Sequence, residues 1–145
     1  MVYIDTSVLV AYYSPEPLSE QIERTLRSTS DLGISDLTEV ELCSAVTRKV
    51  RERELDRRDA MKILAQFHAH LNARQYVRFS LSNEHSRVAK HWVSQMEWPL
   101  RTLDALHLAV ASVAQATIIT ADVQLARCAE SMGLSFQLFS GNASR

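Results

Sequence analysis

Glycine, proline and cysteine are scarce in this 145-residue chain, which has three, three and two of them. So little glycine and proline excludes a collagen-like repeat, and the ordinary balance of apolar and charged residues excludes a disordered chain. The two cysteines, Cys43 and Cys128, lie far apart, form no CxxC pair and have no metal-ligand spacing, so they are expected to be buried, reduced thiols. Long apolar runs are also missing. The stretch from Ala105 to Ala114 is interrupted by His107 and Ser112 and falls well short of the ~20 residues that span a bilayer. No basic segment precedes the short apolar start, so no secretory signal is expected, and the default location is cytoplasmic, away from membranes. A net charge of −1 gives the whole molecule no electrostatic pull on nucleic acid. Any phosphate contact must come from a local patch.

What the chain does have is a core. Apolar residues make up 46% of it and charged residues 23%. A single domain of this length buries roughly 68–70% of the surface its unfolded chain exposes. No repeat, low-complexity tract or linker divides it, so residues 1–140 are read as one domain and 141–145 as a frayed tail.

Periodicity alternates strands with helices. Val2 to Ile4, Leu32 to Ile34, Tyr76 to Leu81, Thr117 to Thr120 and Leu134 to Phe139 read as short strands. Between them, helical spacing covers Thr6 to Tyr13, Leu18 to Arg27, Leu37 to Arg53, Asp56 to Ala73, Glu84 to Glu97, Thr102 to Gln115 and Val123 to Met132. In the longer ones Val40, Leu42 and Val46, then Met61, Leu64, Phe67 and Leu71, make the apolar stripes. Gly133 closes the last helix. Strands separated by helices predict an α/β fold: a parallel sheet with helices on both faces, joined by right-handed crossovers.

In such sheets ligands bind beyond the carboxyl ends of the strands. Four acids stand out there. Asp5 follows the first strand in MVYIDTSVLV, and Asp122 follows TIIT. Asp104 sits in the first turn of the apolar helix TLDALHLAVA, and Glu41 interrupts the apolar stripe of the helix after the second strand. Each has a plain structural reading beside the functional one. Asp5 and Asp122 fit as helix caps, Asp104 as a complement to a helix dipole, and Glu41 as a helix-edge residue. Their joint placement favours function.

Two carboxylates ~5 Å apart repel by roughly 3 kcal/mol at an effective dielectric of about 20, so a converging set takes up protons or a cation. With oxygen donors and no His or Cys set, Mg²⁺ or Mn²⁺ is the fitting ion. Such ions activate water for phosphodiester hydrolysis.

The ordered segments MVYIDTSVLV, ISDLTEVEL, LRTLDALHLAVA and TIITADVQLA resemble the PIN-domain ribonucleases, especially the VapC-like toxins of bacterial toxin–antitoxin modules. The resemblance runs from about Val2 to Phe139. It implies a three-layer α/β/α PIN-like fold whose five-stranded parallel sheet has the order 3-2-1-4-5. It also implies a metal-dependent endoribonuclease whose acidic site is Asp5, Glu41, Asp104 and Asp122, holding one or two Mg²⁺ or Mn²⁺ ions. Thr6 and Thr120 match positions where the family often has a hydroxyl near the metal or its water. A homodimer, an RNA substrate and a cognate VapB-like antitoxin follow from the same likeness. With strands 1 and 4 adjacent, the chain-order switch point lies where Asp5 and Asp122 emerge.

Other residues read mostly as structure. His107, three positions after Asp104, is expected to hydrogen-bond in the core instead of binding metal. His68, His70, His85 and His91 are expected at the surface. The stretch Arg48, Lys49, Arg51, Arg53, Arg57 and Arg58 alternates with acids, as a solvated helix face does, so Arg101 beside Asp104 is the better candidate for an RNA phosphate contact. Tyr12, Tyr13, Leu18 and Ile22 are the expected apolar seat for an antitoxin segment. Two other functions stay open. One is a non-catalytic PIN-like interaction module. The other is a Mg-binding phosphoacceptor domain, which would need a lysine after a late strand, whereas Lys49, Lys62 and Lys90 all fall in expected helices.

Overall fold

The computed structural model describes residues 1–141. The expected frayed tail at 141–145 therefore falls, apart from Gly141, outside the described residues. In chain order the elements are β1 (Val2–Ile4), α1 (Thr6–Tyr13), α2 (Ser19–Arg27), β2 (Leu32–Ser35), α3 (Asp36–Arg51) and α4 (Arg57–Asn72). Then come β3 (Val77–Phe79), α5 (Asn83–Ser94), α6 (Thr102–Val113), β4 (Thr117–Thr120), α7 (Val123–Ser131) and β5 (Phe136–Leu138). The strands pair in parallel in the order β3-β2-β1-β4-β5, the order the resemblance implied. No described helix is long and apolar enough to cross a membrane.

Successive strand residues point to opposite faces, and the sequence uses both. Ile4, Ile34 and Ile119 pack with Val8, Leu9, Ile22, Leu42 and Phe67 beneath α1 to α4. Tyr3 and Ile118 pack on the other face with Leu108, Val110, Leu125 and Ala129 of α6 and α7. Helix α5 joins this layer through Ala89 against Ala105 and Ala109. The inner strands β1 and β4, covered on both faces, carry apolar residues on both, whereas the edge strands β3 and β5 carry the exposed Arg78 and Gln137. Gly33 in β2 allows a close approach: a Cβ there would lie 2.8 Å from the Phe79 ring.

The shortage of glycine shows at the helix ends. Helix α7 closes on Gly133 at φ 69°, but α3, α4, α5 and α6 run out through Arg53, Arg74, Met96 and Gln115 at φ 61°, 55°, 57° and 51°. Each left-handed residue with a Cβ costs about 1–2 kcal/mol. The turn at Met96 is one reason α5 stops at Ser94 and not at Glu97.

Several expectations need correction. Strand β3 is shorter than Tyr76 to Leu81, because the Leu81 N–H leaves the sheet for Asp36 Oδ2 at 3.2 Å. Strand β5 starts at Phe136, because the Leu134 N–H closes α7 on the Ala129 carbonyl. Val40 and Met61 are 68% and 62% exposed and lie off the apolar stripes. In α3 the buried stripe is Thr38, Leu42 and Val46. At 100° per residue, Val40 lies about 200° round from Thr38, while Glu41 lies only about 60° off and borders the stripe. His85 is buried because it caps α5 with Ser82, and half-buried His70 contacts the Tyr13 hydroxyl at 2.6 Å. Tyr13 and Ile22 are core residues, so the expected antitoxin seat loses two of its four members. Burial pushes the Tyr76 phenol up to about 12, against its hydrogen bond with Tyr13, which works to lower it.

Candidate active site

The four acids reach one cavity of about 620 Å³ at the carboxyl end of the sheet. Asp5 enters from the end of β1 and Asp122 from the end of β4, which are neighbours in the sheet. Glu41 comes from the second turn of α3 and Asp104 from the first turn of α6. Thr6, Ser7, Arg48, Arg101 and His107 also line the cavity. Topology thus gathers residues that are up to 117 positions apart in sequence.

Each carboxylate commits at least one oxygen to the protein. Asp5 Oδ2 accepts from Thr120 Oγ1 at 2.9 Å, Ser7 Oγ at 2.5 Å and the Ser7 N–H at 3.3 Å. Asp122 Oδ1 caps α7, accepting from the Gln124 and Leu125 N–H groups at 2.8 and 3.2 Å. Glu41 Oε1 accepts from Thr6 Oγ1 at 2.9 Å and from His107 Nε2. Asp104 Oδ2 accepts from Arg101 Nε at 2.8 Å. Among the described residues, Asp5 Oδ1, Glu41 Oε2 and Asp104 Oδ1 accept no hydrogen bond, and Asp122 Oδ2 has only Arg101 Nη2 at 3.4 Å. The caps anticipated for Asp5 and Asp122 are therefore real. They leave an oxygen of each carboxylate uncommitted to the cap.

Burial works to raise the Glu41 carboxyl, but the His107 hydrogen bond and charge, with the Thr6 hydroxyl, hold it below its ordinary value. Burial works to lower His107, and its bond to Glu41 together with the charges of Asp5, Glu41 and Asp104 overcomes this and raises it. Burial pushes the Tyr3 phenol well above its usual range. Burial, reinforced by Asp104 and Asp122, raises the Cys128 thiol and keeps it inert.

Cation chemistry fits the donors. The set is all carboxylate oxygen, the chemistry Mg²⁺ and Mn²⁺ prefer. As the side chains stand, no three His, Cys, Asp or Glu groups among the described residues close into a metal-binding cluster. Arg101 supplies the local positive charge instead, spanning Asp104 and Asp122. No lysine lies at a strand end: Lys49, Lys62 and Lys90 are in α3, α4 and α5. Of the basic stretch, Arg48 lines the cavity, while Lys49 pairs with Glu16 and Glu54.

Thr6 and Thr120, expected as hydroxyl neighbours, touch Glu41 and Asp5 respectively. Sequence reading missed Ser7, which bonds Asp5 and accepts the Ala121 N–H at 2.9 Å. It also missed Tyr3, whose hydroxyl meets His107. A signal for the second pair was present: a tyrosine in a buried strand and a histidine in an apolar helix both need polar partners.

A family model described as PIN domain matches residues 2–131. No curated protein matches the sequence. Among solved structures, the chain is similar to VapC20 of Mycobacterium tuberculosis, a sarcin–ricin-loop-cleaving toxin, with TM-score 0.69 and 14% identity over 88% of this chain and 95% of that one. It is similar to VapBC2 of Rickettsia felis, bound to a promoter DNA fragment, with TM-score 0.67 and 15% identity over 97% and 100% of the two chains. A toxin–antitoxin complex from Klebsiella pneumoniae gives TM-score 0.58 and 17% identity over 86% and 88%. At these identities the likeness speaks for the fold, and the fold agrees with a family model that covers most of the sequence: the chain belongs to the PIN domain family.

Proposed function

We propose that this protein is a Mg²⁺- or Mn²⁺-dependent endoribonuclease, the toxin of a toxin–antitoxin pair. The observation that carries the reading is the convergence of Asp5, Glu41, Asp104 and Asp122 on one cavity at the switch point between β1 and β4. Membership of the PIN family and the toxins among its structural relatives support the same reading.

Asp5, Glu41, Asp104 and Asp122 would hold one or two ions, directly or through water. When bound, the metal lowers the pKa of a water and offsets charge on the leaving oxygen. The chain's own residues do the rest. Ser7 and Thr120 fix Asp5, and Thr6 fixes Glu41. Arg101, exposed at the cavity rim, is placed to meet an RNA phosphate once it leaves its carboxylate partners. Water attacks phosphorus and the bond to the departing ribose oxygen breaks; a carboxylate of the set takes the proton released by the water, and the ribose oxygen takes one up from solvent to leave as a hydroxyl. An RNA substrate places the protein in the cytoplasm, where a VapB-like antitoxin and a second copy of the chain complete the proposed assembly.

Stripping the purified protein with a chelator and adding back single cations tests this. Cleavage of single-stranded RNA should vanish on stripping and return with Mg²⁺ or Mn²⁺. RNA left intact under every divalent cation would leave the non-catalytic interaction module as the better reading.

A further inference from the structure

His107 is an oddity of α6: a 2% exposed imidazole among Ala105, Leu108, Ala109 and Val110. Both of its ring nitrogens are engaged. Nδ1 lies 2.7 Å from the Tyr3 hydroxyl, and Nε2 lies against Glu41 Oε1. Tyr3 in turn sits 2.8 Å from Ser35 Oγ and 3.2 Å from Thr38 Oγ1, the two side chains of the capping box that starts α3. Glu41 lies three residues after Thr38 on that same helix. The chain of bonds therefore leaves α3 at its cap, crosses β1 at Tyr3 and α6 at His107, and returns to α3 at Glu41.

We propose that His107 is a positioning residue that holds Glu41 for divalent-cation binding and is not itself a metal ligand. The role rests on the metal-dependent reading above. Proton accounting fixes the arrangement. The Glu41 carboxylate only accepts, so Nε2 carries a hydrogen. If the imidazole is neutral, the Tyr3 hydroxyl donates to Nδ1 and accepts from Ser35 or Thr38. If it is charged, Nδ1 donates to Tyr3, which passes its own hydrogen to Ser35 or Thr38. The Nε2–H to Glu41 bond is common to both, so the role does not depend on titration. Neither state leaves a nitrogen lone pair free for a metal, which keeps the donor set all oxygen. The ring also ties the Glu41 carboxylate on α3 to α6, so the bond is sensitive to a shift of one helix relative to the other.

Two measurements test the proposal. Calorimetric Mn²⁺ titration of the stripped protein compares wild type with His107→Leu, His107→Gln and Tyr3→Phe, each checked for folding by thermal melting. Outer partners of this kind change metal affinity by about 10–100-fold, and His107→Leu should lose that much. His107→Gln keeps an N–H for Glu41 and should recover most of the loss. Tyr3→Phe keeps the packing, removes only the hydroxyl, and should fall between the two. Unchanged Mn²⁺ affinity in a folded His107→Leu, or no rescue by glutamine, would overturn the role; should leucine not fold, Tyr3→Phe at wild-type affinity would do so. Long-range ¹H–¹⁵N correlation on metal-free protein reads the ring directly and separates this failure from that of the metal reading. A proton on Nε2 is expected, and a bare Nε2 would contradict the arrangement whether or not Mn²⁺ binds.

Discussion

The Thr120 hydroxyl stands 2.9 Å from Asp5 Oδ2 and also accepts the Asp122 N–H at 2.9 Å. One buried hydroxyl at the end of β4 therefore sets the carboxylate after β1 and the backbone of the acid after its own strand. The adjacency of β1 and β4 in the sheet makes this possible.

Thr120→Val keeps the shape and removes that hydroxyl. It leaves the Asp122 N–H and Asp5 Oδ2 short of a partner and should cost about 1–3 kcal/mol in denaturant unfolding. RNA cleavage should fall by about 10–100-fold, as for other groups that orient a metal-binding carboxylate. Thr120→Ser should restore most of both. Serine behaving like valine would show that the methyl group, not the hydroxyl, matters.

Asp122 has a structural duty and a proposed functional one, and two substitutions separate them. Asp122→Asn keeps an oxygen to cap α7 and should melt close to wild type, while Asp122→Ala should lose about 1 kcal/mol. Both should lose cleavage. An active asparagine variant would reduce Asp122 to a cap.

The Glu41–His107 pair should make the metal-free protein's stability depend on pH. The folded Glu41 value lies below its ordinary 4.5, so its contribution is present above 4.5 and is lost as pH falls through the lowered folded value. The folded His107 value lies above its ordinary 6.5, so its contribution is present below 6.5 and is lost as pH rises through the raised folded value. Both are in force between 4.5 and 6.5. With chelator present, the melting-temperature gap between wild type and His107→Gln should be widest in that window and shrink on either side. A gap that does not vary with pH would show that the pair carries no such linkage.

Arg101 pairs with Asp104 and Asp122, so a cation held by those carboxylates would have to compete with it. Without RNA, Arg101→Ala should bind Mn²⁺ more tightly than wild type by calorimetry. It should also bind RNA more weakly and reduce the slope of log affinity against log salt by about 1. Weaker Mn²⁺ binding by the variant would contradict the competition.

The centre of the sheet was legible in the sequence because β1 and β4 are buried on both faces, so Val2 to Ile4 and the Ile118–Ile119 pair of TIIT stand out as short apolar runs. Edge strands were read too long. Their ends turn to partners such as Asp36 and Ala129, which no local pattern reveals. The acids were legible for a similar reason: Asp5 and Asp122 break an apolar element at its turn. The Tyr3–His107–Glu41 connection was not, since its members are 104 and 66 residues apart and meet only when β1, α3 and α6 pack together. Val40 misled because a helix stripe read without a fixed phase admits a residue on the opposite side. His85 misled because its capping bond to Ser82 is a matter of backbone geometry.

If the carboxylates at the switch point cut RNA with a divalent cation, Asp5→Asn and Asp104→Asn should each abolish cleavage. Each variant removes one charge, keeps the size of the side chain, and should be scored only where its melting curve shows a folded protein. Wild type with Mg²⁺ or Mn²⁺ should cut a single-stranded RNA that neither variant cuts. Equal cleavage by all three proteins would mean that these carboxylates do not carry the reaction.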